Sequence, residues 1–307
     1  MIVPAPTMSI APNTPAGLNT AATLDWHSPE ITALLERALA EDIGAGDLTT
    51  DGVLPERVEA QGTFLAKEAL VIAGLPLVER LYELLDPGLR FHALVEEGAQ
   101  VSRGPVAEVS GDARALLRGE RVALNFLQRL SGMATLTRRF TLRLRGTKAK
   151  LRDTRKTTPG LRLLEKYAVR LGGGTNHRFG LFDAILIKEN HAQLAGGVEE
   201  AVRRSREKHG RSYPVQVEVR DQAELQQALA AGADALLLDN MSVEQVDLAV
   251  KTVAGRLPLE VSGGINLENV RAYAECGVDY ISVGALTHSA PAADISFDLV
   301  PAEQGGP

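Results

Sequence analysis

The sequence predicts an α/β fold: a mixed α/β first half followed by a parallel (β/α) barrel. Short β-type runs recur after residue 148, at AKLRDT (149–154), AILIK (184–188), VQVEV (215–219), ALLLDN (235–240), PLEVSGG (258–264) and YISVGAL (280–286). Helical patterns separate them: GGVEEAVRRSREKHG, QAELQQALAAG, SVEQVDLAVKTV and NLENVRAYAECG. Starts taken at Ile185, Val215, Leu236, Leu259 and Ile281 lie 30, 21, 23 and 22 residues apart. Strand–helix units of that length give a parallel sheet buried on both faces. Six strands are clear, the segment before Ala184 is a candidate seventh, and no eighth is evident.

The first 26 residues are rich in Pro, Ala, Thr and Asn and contain no Lys or Arg. They lack the basic start and apolar core of a secretory signal and read as a disordered extension, with Met8 a second candidate start. From Ser28 the pattern is helical, with apolar residues at Ile31, Leu34, Leu35, Ala38 and Ile43, a start at Pro29 and Glu30 and a stop at Gly44. Residues 58–110 read as short strands and turns around a helix near 76–85, and EEGAQVSRGPVAEVSG as two strands flanking a turn at Arg103-Gly104-Pro105. Residues 113–145 are strongly helical. There Arg118, Arg121, Asn125, Gln128 and Gly132 form one polar stripe at spacings of 3, 4, 3 and 4, which favours a buried polar interface over a solvated face. DISFDLV (294–300) reads as a strand that returns to the first region. The division expected is an extension at 1–26, an N-terminal domain at 27–130 rejoined by 290–304, and a barrel at 131–289.

The chain has 307 residues, 45% hydrophobic, 23% charged and only 4% aromatic. No apolar run approaches the ~18 residues of a membrane-spanning helix. A single cysteine, Cys276, excludes an internal disulfide and suits a reducing cytoplasm. Net charge is −6, yet residues 114–178 hold 17 Lys and Arg against 3 Asp and Glu, leaving 16 against 36 elsewhere. A nucleic-acid surface would add stacking aromatics, but the segment has only Phe126, Phe140 and Tyr167. A small polyanionic substrate accounts better for the charge.

In parallel barrels the chemistry gathers at the carboxyl ends of the strands. Those ends carry Asp153-Thr154-Arg155-Lys156, Lys188-Glu189-Asn190-His191, Glu218, Asp239-Asn240, Ser262-Gly263-Gly264, and Val283-Gly284-Ala285 running to Thr287, His288 and Ser289. The glycine turns after the last two strands suit a phosphate, because backbone N–H groups approach its oxygens. Glu218 and Asp239 suit Mg2+ or ribose hydroxyls, or a structural ion pair with Lys188. Arg155, Lys156, His177, Arg178 and Lys188, with Arg121, form a cationic set matched to carboxylate and phosphate together. No Ser-His-Asp order, HExxH or Cys/His cluster points to a hydrolase or a zinc site.

At these residues the sequence resembles the quinolinate phosphoribosyltransferase family. The resemblance is carried by EDIGAGDLTT (41–50), GERVALNFLQRLSGMATLT (119–137), residues 153–191, VEV (217–219), LLLDN (236–240), EVSGGI (260–265) and SVGALTHS (282–289). It implies an N-terminal α/β sandwich domain and an incomplete, seven-strand TIM-like barrel, in a homodimer or a dimer-based hexamer. It implies quinolinate and phosphoribosyl pyrophosphate (PRPP) as substrates and Mg2+ as cofactor. Arg121 is then the arginine reaching across to the partner's quinolinate; Arg155, His177 and Arg178 surround quinolinate, with Thr154 beside them. Lys156 and Lys188 lie near the PRPP phosphates and the reacting centre. Glu218 and Asp239 stand at ribose and Mg2+, and Ser262, Gly263, Gly264, Val283, Gly284 and Ala285 seat the phosphate. The competing expectations are a sister phosphoribosyltransferase with another acceptor, a Schiff-base lyase using Lys156 or Lys188, and a non-catalytic binder of phosphorylated metabolites.

Overall fold

The structure is a computed structural model that describes residues 24–54 and 57–302. The extension expected at 1–26 lies outside these residues except for 24–26, where Leu24 and Trp26 pack on the first core. The ring of Trp26 stands edge-on to Tyr167, centroids 5.1 Å apart.

The first unit opens with α1 (Pro29–Ile43), capped by the Ser28 hydroxyl and ended at Gly44, where φ is +54°. Its apolar stripe buries Ile31, Leu35 and Leu39. Then follow α2 (Leu48–Val53), β1 (Glu59–Ala66), β2 (Leu70–Val71), α3 (Leu75–Leu85), β3 (Arg90–Ala93), β4 (Gln100–Val101) and β5 (Gly104–Asp112). Ala60, Phe64 and Ala66 alternate inward along β1, the period-two pattern of a half-buried strand. The two strands expected around Arg103 exist but do not pair with each other. β4 joins β2, whereas β5 joins β1 and β3.

One continuous helix, α4 (Ala113–Arg143), covers all but the last two residues of the predicted helical region. At 31 residues it is about 46 Å long. It gives Leu116, Leu127 and Met133 to the first core and Phe140 to the second. Within one chain the residues of its polar stripe have different surroundings. Arg118 pairs with Asp51 at 2.8 Å, Arg121 and Asn125 face solvent, and Gln128 Nε2 donates to the Ile295 carbonyl at 2.7 Å. Gly132 is there because a Cβ would sit 1.9 Å from the Pro291 carbonyl oxygen.

The second unit continues with β6 (Lys150–Arg152), α5 (Arg162–Leu171), β7 (Ile185–Ile187), α6 (Glu189–Ala195), α7 (Val198–His209), β8 (Val215–Val219), α8 (Gln222–Ala230), β9 (Ala235–Asp239), α9 (Val243–Val253), β10 (Leu259–Ser262), α10 (Val270–Glu275), β11 (Tyr280–Ser282) and α11 (Ala285–His288). Its six strands are parallel in the order β6-β11-β10-β9-β8-β7. The segment before Ala184 adds only a bridge, Arg152 to Thr175. Glycines 172–174, with Gly173 at φ +88°, do not favour an extended strand there. The barrel is thus partial, as the resemblance implies, its seventh strand cut to a single residue pair. The last strand, β12 (Ile295–Pro301), leaves the barrel and pairs antiparallel with β1, completing a sheet ordered β12-β1-β5-β3. Among the described residues no helix is long and apolar enough to cross a membrane.

Candidate active site

Alternation in the barrel strands decides which side chains face its interior. Val215, Val217 and Val219 are buried in the core beneath the helices, so Gln216 and Glu218 point inward. Register then stacks the inward residues of neighbouring strands in layers. Glu218 is level with Leu237, and Leu237 with Glu260; one layer nearer the rim, Asp239 is level with Ser262, and Ser262 with Ser282. A parallel barrel is ordinarily filled with branched apolar residues. Here the floor is built around Glu260, which is 1% exposed. Its Oε2 accepts from Arg152 Nη1 at 2.9 Å and Gln216 Nε2 at 3.0 Å, and its Oε1 accepts from the Ser282 hydroxyl. The Arg152 guanidinium also lies 3.3 Å from the centroid of the Tyr280 ring.

Above this floor the loops after β6 and after Thr175 are fastened by a buried ion pair. Asp153 is fully buried and Lys166 nearly so. Lys166 Nζ donates to Asp153 Oδ1 at 2.7 Å and to the His177 carbonyl at 2.9 Å. The His177 N–H and Asn176 Nδ2 also donate to Asp153, at 2.8 and 2.7 Å. Burial pushes the Asp153 carboxyl up and the Lys166 ammonium down, each opposed by the charge of the other.

This frame brings most of the cationic set together. His177 Nδ1 accepts from the Arg178 N–H at 2.7 Å, which leaves the ring proton on Nε2. Arg178 Nη1 donates to the Ala184 carbonyl at 3.0 Å, and its pKa is lowered by burial and by the neighbouring charge of Arg155. Nε of Arg155, Nε of Arg178 and Nε2 of His177 are buried and have no hydrogen-bond acceptor among the described residues. The Arg155 and Arg178 guanidinium groups lie close enough for the charge of one to act on the other, and their buried donors call for an anionic acceptor, whereas Nε2 of His177 faces Glu260 Oε1 at 3.5 Å. Thr154 Oγ1 accepts from the Lys156 N–H at 3.0 Å, and the exposed Lys156 side chain runs past Gly284, where a Cβ would lie 3.2 Å from Lys156 Cδ.

The acidic pair lies across the barrel. Glu218 Oε2 is 3.4 Å from Lys188 Nζ, so the ion pair weighed from the sequence is present. Asp239 Oδ2 accepts from Asn240 Nδ2 at 2.7 Å. Gly263 has φ +96°, and a Cβ there would lie 2.2 Å from Asn240 Oδ1, so a side chain is excluded on both counts. Gly264, at φ +63°, faces open space. The Ser262 carbonyl accepts from the Asn240 N–H at 2.9 Å, and the buried Val283 donates its N–H to the Arg152 carbonyl at 3.0 Å. Ala285 begins α11 beside Lys156. Arg121 joins none of these groups: its side chain is 58% exposed, with Glu120 at 3.9 Å.

Residues 47–131 match the family model for the quinolinate phosphoribosyl transferase N-terminal domain, and residues 133–298 that for its C-terminal domain. The chain belongs to the quinolinate phosphoribosyltransferase family. It is 43% identical over 271 residues to a probable carboxylating nicotinate-nucleotide pyrophosphorylase of Bacillus subtilis, covering 88% of this chain and 93% of that one. It is 44% identical over 274 residues to the carboxylating nicotinate-nucleotide pyrophosphorylase of Mycobacterium leprae, covering 86% and 95%. The solved nicotinate-nucleotide pyrophosphorylase of Francisella tularensis superposes with a TM-score of 0.84 at 42% identity, over 88% of this chain and 96% of that one.

Sequence reasoning passed over several residues that shape this rim and its floor. Glu260 and Arg152 sit inside short strands, where each reads as one charge in an apolar run. Lys166 and Glu165, on α5, are buried although charged. Their signal was the amphipathic pattern of α5, which turns both away from solvent.

Proposed function

We propose that this chain transfers the phosphoribosyl group of PRPP to the ring nitrogen of quinolinate (pyridine-2,3-dicarboxylate). Pyrophosphate and CO2 leave, and nicotinate mononucleotide, a precursor of NAD, remains. The observation that carries this reading is the match to both family domains, laid over a rim where Arg155 and Arg178 present buried donors without acceptors among the described residues. Two adjacent carboxylates on one ring suit such a set, because guanidinium groups hold carboxylates through paired hydrogen bonds.

The chemistry needs no activated protein nucleophile. The pyridine nitrogen forms the bond to the anomeric carbon with its own lone pair, while the bond to pyrophosphate oxygen breaks and its electrons leave with pyrophosphate. The protein holds the two reactants in line. Lys156, whose backbone is pinned at the rim, and Lys188 offer charge to the departing phosphates. Glu218 and Asp239, on neighbouring strands, offset the positive charge that grows on the ribose. The ring nitrogen, now cationic, then withdraws electrons from C2. The bond to the 2-carboxylate breaks, CO2 leaves, and C2 takes up a proton.

Mg2+ is the proposed cofactor. Glu218 and Asp239 are hard oxygen donors, and Mg2+ binds through one or two carboxylates together with substrate phosphates. No group of three or more His, Cys, Asp or Glu stands ready to hold a metal among the described residues, which fits a site completed by PRPP. Bound there, Mg2+ would offset the charge developing on pyrophosphate. The proposed partner is a second copy that receives Arg121, in a homodimer or dimer-based hexamer. The exposure of Arg121, and of Leu48 and Val53 on α2 close to Arg118, supports a covered face. The single cysteine supports a reducing cytoplasm.

The deciding assay supplies PRPP and Mg2+ with quinolinate or nicotinate and follows pyrophosphate, CO2 and mononucleotide. Equal release of all three from quinolinate, with little from nicotinate and none after chelation, is expected. Turnover with another acceptor would overturn the substrate, and no PRPP turnover at all would overturn the activity.

A further inference from the structure

Arg129 belongs to α4, outside every rim loop, yet two rim loops hang from its guanidinium. Its Nε donates to Glu165 Oε1 at 3.0 Å. Its Nη2 donates to the same oxygen, to Thr158 Oγ1 at 2.6 Å and to the Thr287 carbonyl at 3.1 Å. Glu165 is fully buried, and its second oxygen accepts from the Thr158 N–H at 3.1 Å. Thr287, also fully buried, donates its hydroxyl to the Lys156 carbonyl at 2.7 Å. The loop after β6 and the turn after β11 are therefore tied to each other and to one arginine.

We infer that Arg129, acting through Thr287, is a positioning residue that sets Lys156 and the turn at residues 284–285 in register for PRPP. The need for it follows from the fold. β6 and β11 share a ladder of only 150–152 with 280–282, too short to register the loops beyond it. A lysine ammonium is a point charge on a flexible stem, so where its charge falls depends on where its backbone is anchored. The planar guanidinium fork serves several acceptors at fixed angles, which a lysine at 129 does not reproduce. This inference rests on reading Lys156 as a PRPP-phosphate group.

Two variants test it. Thr287→Val keeps the shape of the side chain and leaves the Arg129–Glu165 pair untouched; Arg129→Lys keeps the charge and loses the fork. Steady-state constants for both substrates and the melting temperature are measured. Thr287→Val is expected to raise the KM for PRPP about tenfold, with the KM for quinolinate and the melting temperature nearly unchanged, and Arg129→Lys to shift the same constant further. A PRPP constant that stays put in Thr287→Val, or equal rises for both substrates, overturns the inference and leaves Arg129 a fastening of the fold. Absence of PRPP turnover in the unaltered chain is a separate result, read before any variant, and removes the proposed function together with the inference.

Discussion

Nε2 of His177 stands 3.5 Å from Oε1 of Glu260 at the floor of the barrel. With Nδ1 taken by the Arg178 N–H, the proton of the neutral ring faces the carboxylate. Burial holds the imidazole below its ordinary 6.5, against the pull of Glu260 and with help from the Arg152 and Lys166 charges. Burial would raise Glu260, but the His177 ring, the Arg152 charge and the donors Ser282 and Gln216 outweigh it and hold it below the usual carboxylate range.

Stability should therefore fall on the acid side. Both groups bind protons less readily folded than unfolded, so the unfolded chain takes up more protons and stability rises with pH. The His177 contribution is complete above about pH 6.5 and is lost as pH falls below it; that of Glu260 is lost further down, from the ordinary carboxylate value of about 4.3 downward. Urea unfolding from pH 8 to pH 4 is expected to show this decline, with the upper part flattened in His177→Asn. A wild-type midpoint constant from pH 7 to pH 5 would contradict a neutral His177.

Arg155→Ala and Lys156→Ala are expected to lower turnover at least about a hundredfold. Neither side chain is among the buried hydrophobic or polar groups of the cores, so circular dichroism and melting temperature should stay close to wild type. Near-normal turnover in both variants would remove them from the site.

The Asp153–Lys166 pair predicts a different signature. Asp153→Ala leaves a buried ammonium without its carboxylate and should cost about 3–5 kcal/mol in urea unfolding. Replacing both partners with apolar residues, as in Asp153→Leu with Lys166→Met, should recover much of that stability while activity stays low, because the His177 N–H and Asn176 lose their anchor. A mild effect of the single change would show that the pair is not closed off from water.

Gly132→Ala tests the seam between α4 and the chain leading into β12. The added methyl meets a backbone oxygen, which cannot rotate away as a side chain can. A loss of about 2–3 kcal/mol and faster proteolysis of the last strand are expected. Wild-type stability would mean that residues 291–293 can move aside.

The rim was legible in the sequence because polar residues follow each apolar run at the same phase, and a strand end is a local feature. Lys188 beside Glu218, and Gly284 against Lys156, follow from strand order once the runs are placed. The floor was not legible in the same way. Glu260 finds Arg152 across 108 residues and Gln216 across 44, and no local period encodes which inward side chains will meet. Arg129 was hidden for a related reason: it lies off the polar stripe of α4, and its partners come from α5, α11 and the loop after β6. The missing strand at Thr175 follows from its glycines, whereas the separation of β4 from β5 depends on β2, a partner that lies before both in the chain.

The pairing of β12 with β1 carries a consequence for synthesis. Ala60 meets Pro301, so the edge of β1 that β12 covers stays bare until the last strand has been made. At ribosomal rates of ~5–20 residues per second, that interval is on the order of ten to fifty seconds. During it the nascent chain exposes an open strand edge, the feature that invites pairing with a neighbouring chain. The N-terminal sheet is thus translated first and finished last, and a message cut short before β12 would release a protein whose barrel has all its strands but whose first sheet cannot close.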